Sequence, residues 1–600
     1  MFKPSILAAA VAACSSLPVI AETTLPTQVI TATRTVASVD ETLAGVQVIN
    51  RQTLEQHQGQ DLGDILRFTT GLDIARLGGF GGQTSTFMRG TESNHTLILI
   101  DGVRINSATS SQGNIQNLVL SDIERIEVVK GPMSTLYGSD AIGGVINIIT
   151  RTPEKTETRA SLSSGEHQLV NGGVSQSWKS GSLTALADIS SLYTDGYPIV
   201  EQSTLPRGYR NTGGHLKLGY DLNGTRLGLS VRENRGTAEY LNFGTPATQD
   251  FLNRIIAVSL DRDFGDAVRT QLRFSQMNDD IDQNESTAIA DTRQRQLDWQ
   301  NTLVLGDGNT LIAGLTRTDT DAQYDNGFGT LYDKEQSSTA IYLQDQIKFQ
   351  NLTAQLAGRH ERYDSFGNHS TGNIGLGYRF AEGQQVYFNA GTAFKAPDLN
   401  ELYGFGGNVN LKPESSESLE LGSKHQLGQW QVQTAFFQTR IEDLLSCVGA
   451  FPCLNINVDK AKIQGTELSI DWQDDGFRAG ARAGYTHARD ENTGDDLLRR
   501  PRRSLAVNGG YAVKAWGINA EVLAKSHAWD APVFGSTVYR RLSGYATTNL
   551  QGYLQLQPNV RLALNLENIA KKTYGYAYSG ASARYTGTPR TASLSAHVTF

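Results

Sequence analysis

GTELSIDW, residues 465–472, alternates strictly between polar and apolar side chains. The same alternation recurs in RLALNLENI (561–569) and in the last eight residues, SLSAHVTF (593–600). A period of two predicts a β-strand with one apolar face and one polar face. In a soluble sandwich the apolar face forms the core, whereas in an outer-membrane barrel it faces lipid and the polar face lines the lumen.

The alternating region extends from about residue 155 to residue 600, which is 446 residues. Divided among 22 strands, this length allows about 20 residues per strand, of which a membrane strand uses about 9–11. Sixteen strands with longer loops fit the length as well. Spanning β-structure must close to pair its edges, and a 22-stranded barrel is wide enough to need a plug. We therefore predict a transmembrane β-barrel of about 22 antiparallel strands over residues 154–600, with a plug domain inside its lumen.

The region before the barrel mixes helical and strand-like pieces. Leu62, Ile65 and Leu66 recur at helical spacing, and Gly71 can close that helix in a left-handed conformation. Strand-like runs follow at residues 95–103, 123–129 and 145–150. We predict an α+β plug domain over residues 37–153, which ends in the polar, proline-containing segment 151–159.

The first 21 residues are typical of an export signal. Lys3 supplies a positive start, residues 6–13 form an apolar stretch too short to span a bilayer, and Val19–Ala21 is a small-residue cleavage site. Lipidation at Cys14 is the alternative processing. We predict a signal peptide over 1–21 and a periplasmic segment over 22–36. Beyond Ala21 no apolar run approaches the roughly 20 residues that a membrane helix needs.

Composition and motifs argue against two functional classes. The net charge of −8 and the lack of a basic run disfavour a nucleic-acid binder. The ten histidines are scattered without metal-ligand spacing, and no G-x-S-x-G elbow occurs. We therefore expect no enzyme and no catalytic cofactor. A mean hydropathy of −0.34 suits a barrel, since half of each strand faces water.

Motifs along the whole mature chain support a family resemblance. They are PTQVITATR (26–34), FMRG (87–90), LIDGVRIN (99–106), IERIEVVKGP (123–132), YGSDAIGGVINIITR (137–151), FKAPDLNELYG (394–404), LKPESSESLELG (411–422) and a terminal aromatic at Phe600. Together and in this order they resemble the TonB-dependent outer-membrane receptors. The resemblance implies a monomer in the outer membrane of a Gram-negative cell, in contact with lipid and lipopolysaccharide. It would import a scarce nutrient with energy from the inner membrane.

The resemblance also places a TonB box near the mature start. The box comprises Pro26, Thr27, Gln28, Val29, Ile30, Thr31, Ala32 and Thr33. Such a short, β-prone segment can add as a strand to the edge of a partner's sheet. The implied partner is TonB with its inner-membrane motor proteins, and a disordered linker is the alternative interpretation.

Within the family, RGTESNHTLILIDGVRIN (89–106) and the compact length most resemble receptors for vitamin B12 (cobalamin). The resemblance carries the ligand contacts over to Gln83, Ser85, Glu92, Ser110 and Ser111, with the last pair uncertain by one residue. Gln83 and Glu92 depart in side-chain type from the family pattern, which puts those two side-chain contacts in doubt. The alternatives are a receptor for an iron-siderophore or haem, a passive porin, a surface sensor or adhesin, and a secreted all-β enzyme.

Two further features concern loops that we expect near the bound ligand, at the outer end of the predicted barrel. Gly78, Gly79, Gly81 and Gly82 suit either a loop whose backbone approaches a large ligand or a plain flexible turn. The resemblance suggests calcium in the outer loops, with Asp195, Glu239 and Asp250 as ligands. Calcium takes six to eight oxygen ligands, so solvated loop carboxylates are the simpler interpretation of these three residues.

Two cysteines and a group of arginines fall in predicted loops. Cys447 and Cys453 flank VGAFP (448–452), and we predict that they form a disulfide at a hairpin tip, since the protein is exported. The arginines contact lipopolysaccharide phosphates or the ligand in one interpretation, and form an ordinary charge cluster at a strand entry in the other. They are Arg499, Arg500, Arg502 and Arg503.

Overall fold

The computed structural model describes residues 28–600, apart from 58–60, 243, 449–453, 533–535, 537 and 580–582. The predicted signal peptide (1–21) and the first two residues of the predicted TonB box, Pro26 and Thr27, lie outside the described residues.

The plug consists of short strands and short helices. Its strands are β1 (Gln28–Val29), β2 (Ala37–Ser38), β3 (Gly45–Asn50), β4 (Leu72–Arg76), β5 (Thr84–Met88), β6 (Thr96–Ile100), β7 (Val103–Arg104), β8 (Ile123–Lys130) and β9 (Gly144–Thr150). Its helices are α1 (Arg51–Gln56), α2 (Leu62–Leu66) and α3 (Ser134–Tyr137), with 3-10 turns at Val39–Glu41, Ser93–His95 and Ile115–Asn117. Five strands form one sheet in the order β3-β8-β9-β6-β7, in which β6 and β9 are parallel.

The α2 helix begins where the side chain of Asp61 accepts a hydrogen bond from the backbone N–H of Asp64, at 2.9 Å. Leu62, Ile65 and Leu66 are buried in the main plug core, as their helical spacing predicts. The helix ends at Leu66, earlier than expected, and Gly71 (φ +68°) forms the turn into β4 instead. The three strand-like runs all appear as strands, in β6–β7, β8 and β9.

The barrel is a closed antiparallel sheet of 22 strands, as predicted. Its first strand pairs with its last, Leu162 opposite Ala596. The strands are β10 (Glu157–Gly165), β11 (Val170–Ser180), β12 (Leu183–Pro198), β13 (Pro206–Leu222), β14 (Thr225–Asn242), β15 (Thr245–Phe264), β16 (Val268–Gln283), β17 (Ala288–Val304), β18 (Asn309–Asp325), β19 (Thr330–Phe349), β20 (Leu352–Tyr363), β21 (Gly367–Ala381), β22 (Gln384–Lys395), β23 (Glu414–Leu427), β24 (Trp430–Val448), β25 (Leu454–Asp474), β26 (Phe477–Asp490), β27 (Arg503–Ala512), β28 (Trp516–Lys525), β31 (Tyr545–Gln557), β32 (Val560–Glu567) and β35 (Thr591–Thr599). Between them, loops contain α4 (Leu399–Tyr403), β29 (Ala528–Asp530), β30 (Arg540–Leu542), β33 (Gly575–Ser579) and β34 (Ala583–Thr586).

The two faces of the barrel wall invert the usual rule of burial. Apolar side chains point outward and are exposed, such as Leu594 at 55% and Ile341 at 58%. Polar side chains point into the lumen and are buried, such as Gln344 at 0% and Gln551 at 3%. An oily outside and a polar inside are what a bilayer demands of a β-barrel. No helix in the described part of the chain is long and apolar enough to cross a membrane.

The two ends of the barrel also differ. At one end, turns of two to four residues join the strands, for example residues 223–224 between β13 and β14. At the other end several connections are much longer, such as residues 396–413 between β22 and β23, and these contain α4 and the small hairpins. The first described residues lie near the short-turn end, where Glu41 forms ion pairs with Lys348 (3.0 Å) and Arg379 (3.5 Å). Outer-membrane barrels have short turns on the periplasmic side and longer loops outside, so the long-loop end is the outer mouth.

An arginine placed on the lipid-facing wall tests this architecture. We expect Leu343→Arg, in the middle of the outward apolar face of β19, to destabilise the barrel by about 2–4 kcal/mol, because a charge would enter hydrocarbon. Gln323→Arg serves as the control, since Gln323 lies outward on β18 opposite Asp333, nearer the outer mouth. Urea unfolding in lipid vesicles measures both variants, and equal stability of the two would contradict a bilayer around this face.

Candidate functional site

The described part of the predicted TonB box, residues 28–33, lies inside the short-turn end of the barrel and is mostly buried, with the side chains of Gln28 and Ile30 exposed. Val29 and Thr31 are fully buried, and Gln28–Val29 pairs with Ala37–Ser38. The Glu127 carboxylate accepts hydrogen bonds from the backbone N–H groups of Ile30 and Thr31, both at 2.9 Å, and from the Thr31 hydroxyl at 2.7 Å. Strand β2 and Glu127 of β8 therefore take up backbone hydrogen-bonding groups of the box that a partner strand would need.

Arg34, just after the box, fastens the segment to the barrel wall. Its guanidinium forms an ion pair with Asp298 of β17 at 3.0 Å and lies over the rings of Tyr137 (5.1 Å) and Tyr342 (4.7 Å). Burial lowers the pKa of Arg34, but the neighbouring Asp298 outweighs it and raises that pKa overall. The box is thus held by the plug on one side and by the barrel on the other.

Buried ion pairs dock the plug against another part of the barrel wall. Arg89 of the FMRG motif pairs with Glu420 at 2.7 Å and with Glu467 at 3.1 Å. Lys130 donates to the same Glu467 at 2.9 Å. Removing one partner of such a set leaves a buried charge unpaired, so these contacts fix how the plug is seated in the lumen.

At the outer mouth, the glycine-rich loop packs against the barrel wall. An added Cβ at Gly81 would overlap the ring of Tyr209, and one at Gly78 would lie 3.1 Å from Ile199. Phe80, in the same loop, stacks on Tyr209 with 6.3 Å between ring centroids. The glycines therefore permit close packing of this loop on the barrel. Neither of the two interpretations from the sequence, a loop that approaches a ligand and a flexible turn, includes this packing.

Of the five predicted ligand residues, Ser85 lies beside the loop that holds Ser110 and Ser111. The Ser85 hydroxyl donates to the side-chain oxygen of Gln112 at 3.4 Å, and the Ser93 hydroxyl donates to the same oxygen at 3.1 Å. Gln83 is exposed in its loop. The structure thus brings Ser85 together with the 110–112 loop at the apex of the plug.

A barrel loop covers part of this apex. The Ser111 hydroxyl donates to Asp398, the residue that caps α4, at 2.5 Å. Next to it, Lys395 is fully buried and pairs with Glu401 at 2.7 Å. Burial and the neighbouring Asp398 raise the pKa of Glu401 to about 7, against the opposing effect of Lys395. Ser111 is therefore covered by the α4 loop, whereas Ser110 remains half-buried.

Glu92 faces an arginine of the barrel. Arg500 forms an ion pair with Glu92 at 2.7 Å and also donates to the backbone oxygens of Gly90 (2.9 Å) and Thr91 (3.2 Å). Arg499 pairs with Asp530 at 2.8 Å. These two arginines of the 499–503 cluster therefore serve contacts within the protein. Nothing in the local sequence signals that Arg500 binds the plug.

The three proposed calcium ligands each accept a hydrogen bond from a different group. Asp195 accepts from the Tyr193 hydroxyl at 2.5 Å, Glu239 from the Gly208 N–H at 3.0 Å, and Asp250 from the Thr237 hydroxyl at 2.6 Å. Within the described residues, no group of three or more His, Cys, Asp or Glu side chains is placed to hold a metal ion. Calcium binding therefore stays a prediction from resemblance. Cys453 of the predicted Cys447–Cys453 disulfide lies outside the described residues, so the disulfide stays a prediction.

His57 is a plug–barrel contact that the sequence did not signal. Its Nδ1 lies 2.8 Å from the Thr53 carbonyl oxygen and its Nε2 lies 3.0 Å from the Glu521 carboxylate of β28. Because both partners can only accept, both ring nitrogens must donate, and the imidazole is cationic. Burial lowers the pKa of His57, but the ion pair with Glu521 raises it to about 9.

The stability of the seated plug should therefore depend on pH. Since His57 titrates near 9 when folded and near 6.5 when unfolded, its contribution is complete below pH 6.5 and is lost as pH rises through about 9. The expected loss is roughly 3 kcal/mol. Urea-dependent protease sensitivity of the plug between pH 6 and pH 10 measures it, with His57→Gln as the control. Parallel pH curves for the two proteins would rule out this role for His57.

Comparisons with known proteins agree with this geometry. The family model "TonB dependent receptor-like, beta-barrel" matches residues 163–569, and "TonB-dependent Receptor Plug Domain" matches residues 38–145. A protein named "Vitamin B12 transporter BtuB" from Photobacterium profundum is 28% identical, covering 95% of this chain and 96% of its own. A BtuB of Vibrio vulnificus is 29% identical, covering 94% of both.

Solved structures share the fold at lower identity. The siderophore receptor PiuA from Acinetobacter baumannii superposes with a TM-score of 0.80 at 18% identity, covering 94% of this chain and 98% of its own. The ferric enterobactin receptor PfeA from Pseudomonas aeruginosa gives 0.81 at 19%, covering 93% and 98%. The barrel model alone matches more than half of the chain. The chain belongs to the TonB-dependent receptor family, the plugged transporters of the outer membrane.

Proposed function

We propose that this receptor imports vitamin B12, or a closely related corrinoid, into the periplasm. The observation that carries this choice is that both BtuB proteins align with at least 94% of the chain. The solved siderophore receptors match at 18–19% identity and inform only on the fold. Uptake of an iron-siderophore or haem is the alternative within the same family. A passive porin would leave the folded plug without a role.

The charge distribution at the apex supports a ligand with little net charge. Arg500 is paired with Glu92 and Arg499 with Asp530, so carboxylates already neutralise these arginines. Anionic iron chelates favour free cations, whereas a corrinoid presents amide groups and a broad apolar face. Hydroxyl and amide groups of Ser85, Ser110 and Gln112 suit such a ligand through neutral hydrogen bonds.

A short series of contacts connects the plug apex with the box. Asn106 lies at the base of the 107–112 loop, and its side chain bonds both the Ile98 N–H of β6 (2.8 Å) and the Ser111 carbonyl oxygen (3.1 Å). Strand β6 pairs in parallel with β9, whose Asn147 donates to the Thr31 hydroxyl at 3.0 Å. Ligand binding at the loop can therefore bias the box through one sheet. We propose this route as the signal for release.

Energy must come from elsewhere because tight capture opposes release. A nanomolar site holds its ligand by about 12 kcal/mol. Once free, the box can add as a strand to TonB, and a pull on it acts on the residues that follow it, beginning with Arg34 and its ion pair with Asp298. The inner-membrane motor then supplies the work that frees the ligand inward.

Deletion of the box tests the transport proposal. We expect cells whose only cobalamin receptor is this protein to accumulate labelled cyanocobalamin, and expect deletion of residues 26–33 to reduce uptake at least tenfold while surface binding persists. Growth on ferric chelates is measured in parallel. Normal cobalamin uptake without the protein, together with loss of chelate-dependent growth, would refute the corrinoid assignment and leave the family intact.

A variant without the Glu127 carboxylate, which accepts hydrogen bonds from the box, tests how the box is released. Glu127→Ala deletes the acceptor of three hydrogen bonds to the box, each worth about 1.5–3 kcal/mol with a charged partner. We expect the mobile fraction of a nitroxide at Gln28→Cys to rise at least tenfold without ligand. Glu124→Ala, on the exposed side of the same strand, is the matched control. Similar spectra for both variants would show that Glu127 does not hold the box.

A further inference from the structure

Two outer loops on either side of the seam where β10 pairs with β35 are joined to each other. One is the loop at residues 199–205, between β12 and β13, and the other contains the hairpin β33–β34, between β32 and β35. Val200 of the first loop pairs with Tyr585 of β34 in an antiparallel bridge, in the position of a third strand. We call this junction the clasp, and define it as residues 199–201 with β33 and β34.

Backbone and side-chain contacts hold the clasp together. The Glu201 N–H donates to the Arg584 carbonyl oxygen at 2.9 Å. The Thr586 N–H donates to the Ile199 carbonyl oxygen at 2.9 Å, and the Thr586 hydroxyl donates to that of Pro198, also at 2.9 Å. In addition, both sides of the Arg584 guanidinium contact the Glu201 carboxylate, with Nε at 2.9 Å. The two loops therefore bind each other through their own atoms.

The clasp also rests on the plug. Ile199 belongs to a buried apolar cluster that both loops share, and an added Cβ at Gly78 of the plug would lie 3.1 Å from it. Arg76 of the plug donates to the Tyr197 hydroxyl, just before the first loop, at 3.2 Å. The same guanidinium nitrogen donates to the Thr588 hydroxyl, just after the hairpin, at 2.8 Å. One plug residue therefore contacts both arms of the junction.

Glu239, one of the carboxylates predicted to bind calcium, already has positive groups around it. The Gly208 N–H donates to this carboxylate at 3.0 Å, and Nη1 of Arg207 lies 3.9 Å from it. Arg207 is only 8% exposed and lies opposite Tyr197 in the strand register. A divalent cation at Glu239 would meet this buried guanidinium, and like charges repel strongly away from water. The residues on this side of the mouth therefore fit a calcium ion poorly.

We propose that the clasp orders the outer loops on this side of the mouth, and that this order needs no divalent cation. A calcium ion orders loops by drawing several oxygen ligands together, and a weak extracellular site fills only where the ion is abundant. Order that depends on a bound ion changes with the concentration of that ion, whereas contacts within one chain do not. The loops and the plug residue Arg76 beneath them then keep their places in calcium-poor surroundings, whichever ligand is transported.

The mobility of the first loop tests the proposal without any transported ligand. A nitroxide is attached to the full-length receptor at Thr204→Cys, an exposed position of the 199–205 loop, with Cys447 and Cys453 replaced by serine so that only residue 204 is labelled. With the clasp intact, we expect an immobilised spectrum that is the same in excess chelator and in about 5 mM calcium, a concentration that fills even weak extracellular sites.

A variant that opens the clasp provides the contrast. R584Q/T586P removes the ion pair, the hydroxyl contact and one backbone donor. We expect the mobile fraction to rise at least about tenfold, with and without calcium, since each lost contact is worth a factor of about three to five. R541Q removes an exposed arginine from the neighbouring hairpin β29–β30 and is the matched control, for which we expect an unchanged spectrum.

Three results would overturn the proposal. If chelation mobilises the label while the clasp is intact, and calcium immobilises it again, a metal ion orders the loop. If calcium immobilises the label in R584Q/T586P, an ion can replace the clasp. If R584Q/T586P gives the spectrum of the intact clasp, or R541Q mobilises the label as strongly, the clasp contacts do not hold the loop. Heat-modifiable migration on gels verifies that each variant is folded.

Discussion

A sheet that crosses a bilayer has to close on itself, because an open edge would leave N–H and C=O groups unpaired in hydrocarbon. In this protein closure takes 22 strands, and a cylinder of that width encloses a lumen that side chains of the wall cannot fill. The lumen-facing side chains are polar and buried, as Gln344, Asn373 and Glu521 illustrate. They need partners, and the plug supplies them. The architecture of both domains follows from this one requirement.

Many contacts between plug and wall are ionic or hydrogen-bonded. Arg89 with Glu420 and Glu467, His57 with Glu521, and Arg34 with Asp298 are all buried pairs between the two domains. Breaking one partner of such a pair is costly, yet water that enters the lumen can replace both sides. A plug held in this way is firmly seated at rest and can still move when it is pulled. Water cannot replace apolar packing in the same way, so an apolar contact over the same area would be harder to separate.

The ends of the plug have different tasks, and one small sheet connects them. At the mouth, Ser111 and the loop around it meet the α4 loop of the barrel through Asp398. At the periplasmic end, Glu127 and Asn147 of the same sheet hold Thr31 of the box. The box therefore cannot offer its backbone to a partner while these contacts persist. In the proposed mechanism this arrangement is a resting state, in which the predicted TonB box is withheld from its partner.

The strands could be predicted from the sequence because their alternating pattern depends only on neighbouring residues. The alternation in residues 465–472 and 561–569 predicted strands with one apolar face, and a length of 446 residues with the closure requirement predicted about 22 of them. The helix around Leu62 and the three plug strands followed from local patterns in the same way. The family motifs predicted a transporter with a leading box.

The amino-acid sequence alone therefore determined the membrane barrel, its plug and the receptor family. Periodicity and short motifs involve only a few neighbouring residues, so they can be recognised without the fold. Only the tertiary structure decided that the glycine loop packs on Tyr209, that Arg500 binds Glu92, that His57 meets Glu521 and that the box is buried on Glu127. Most of these partners lie more than a hundred residues apart in the chain. Closure of the barrel and the seating of the plug determine which side chains meet, and no local pattern contains that information.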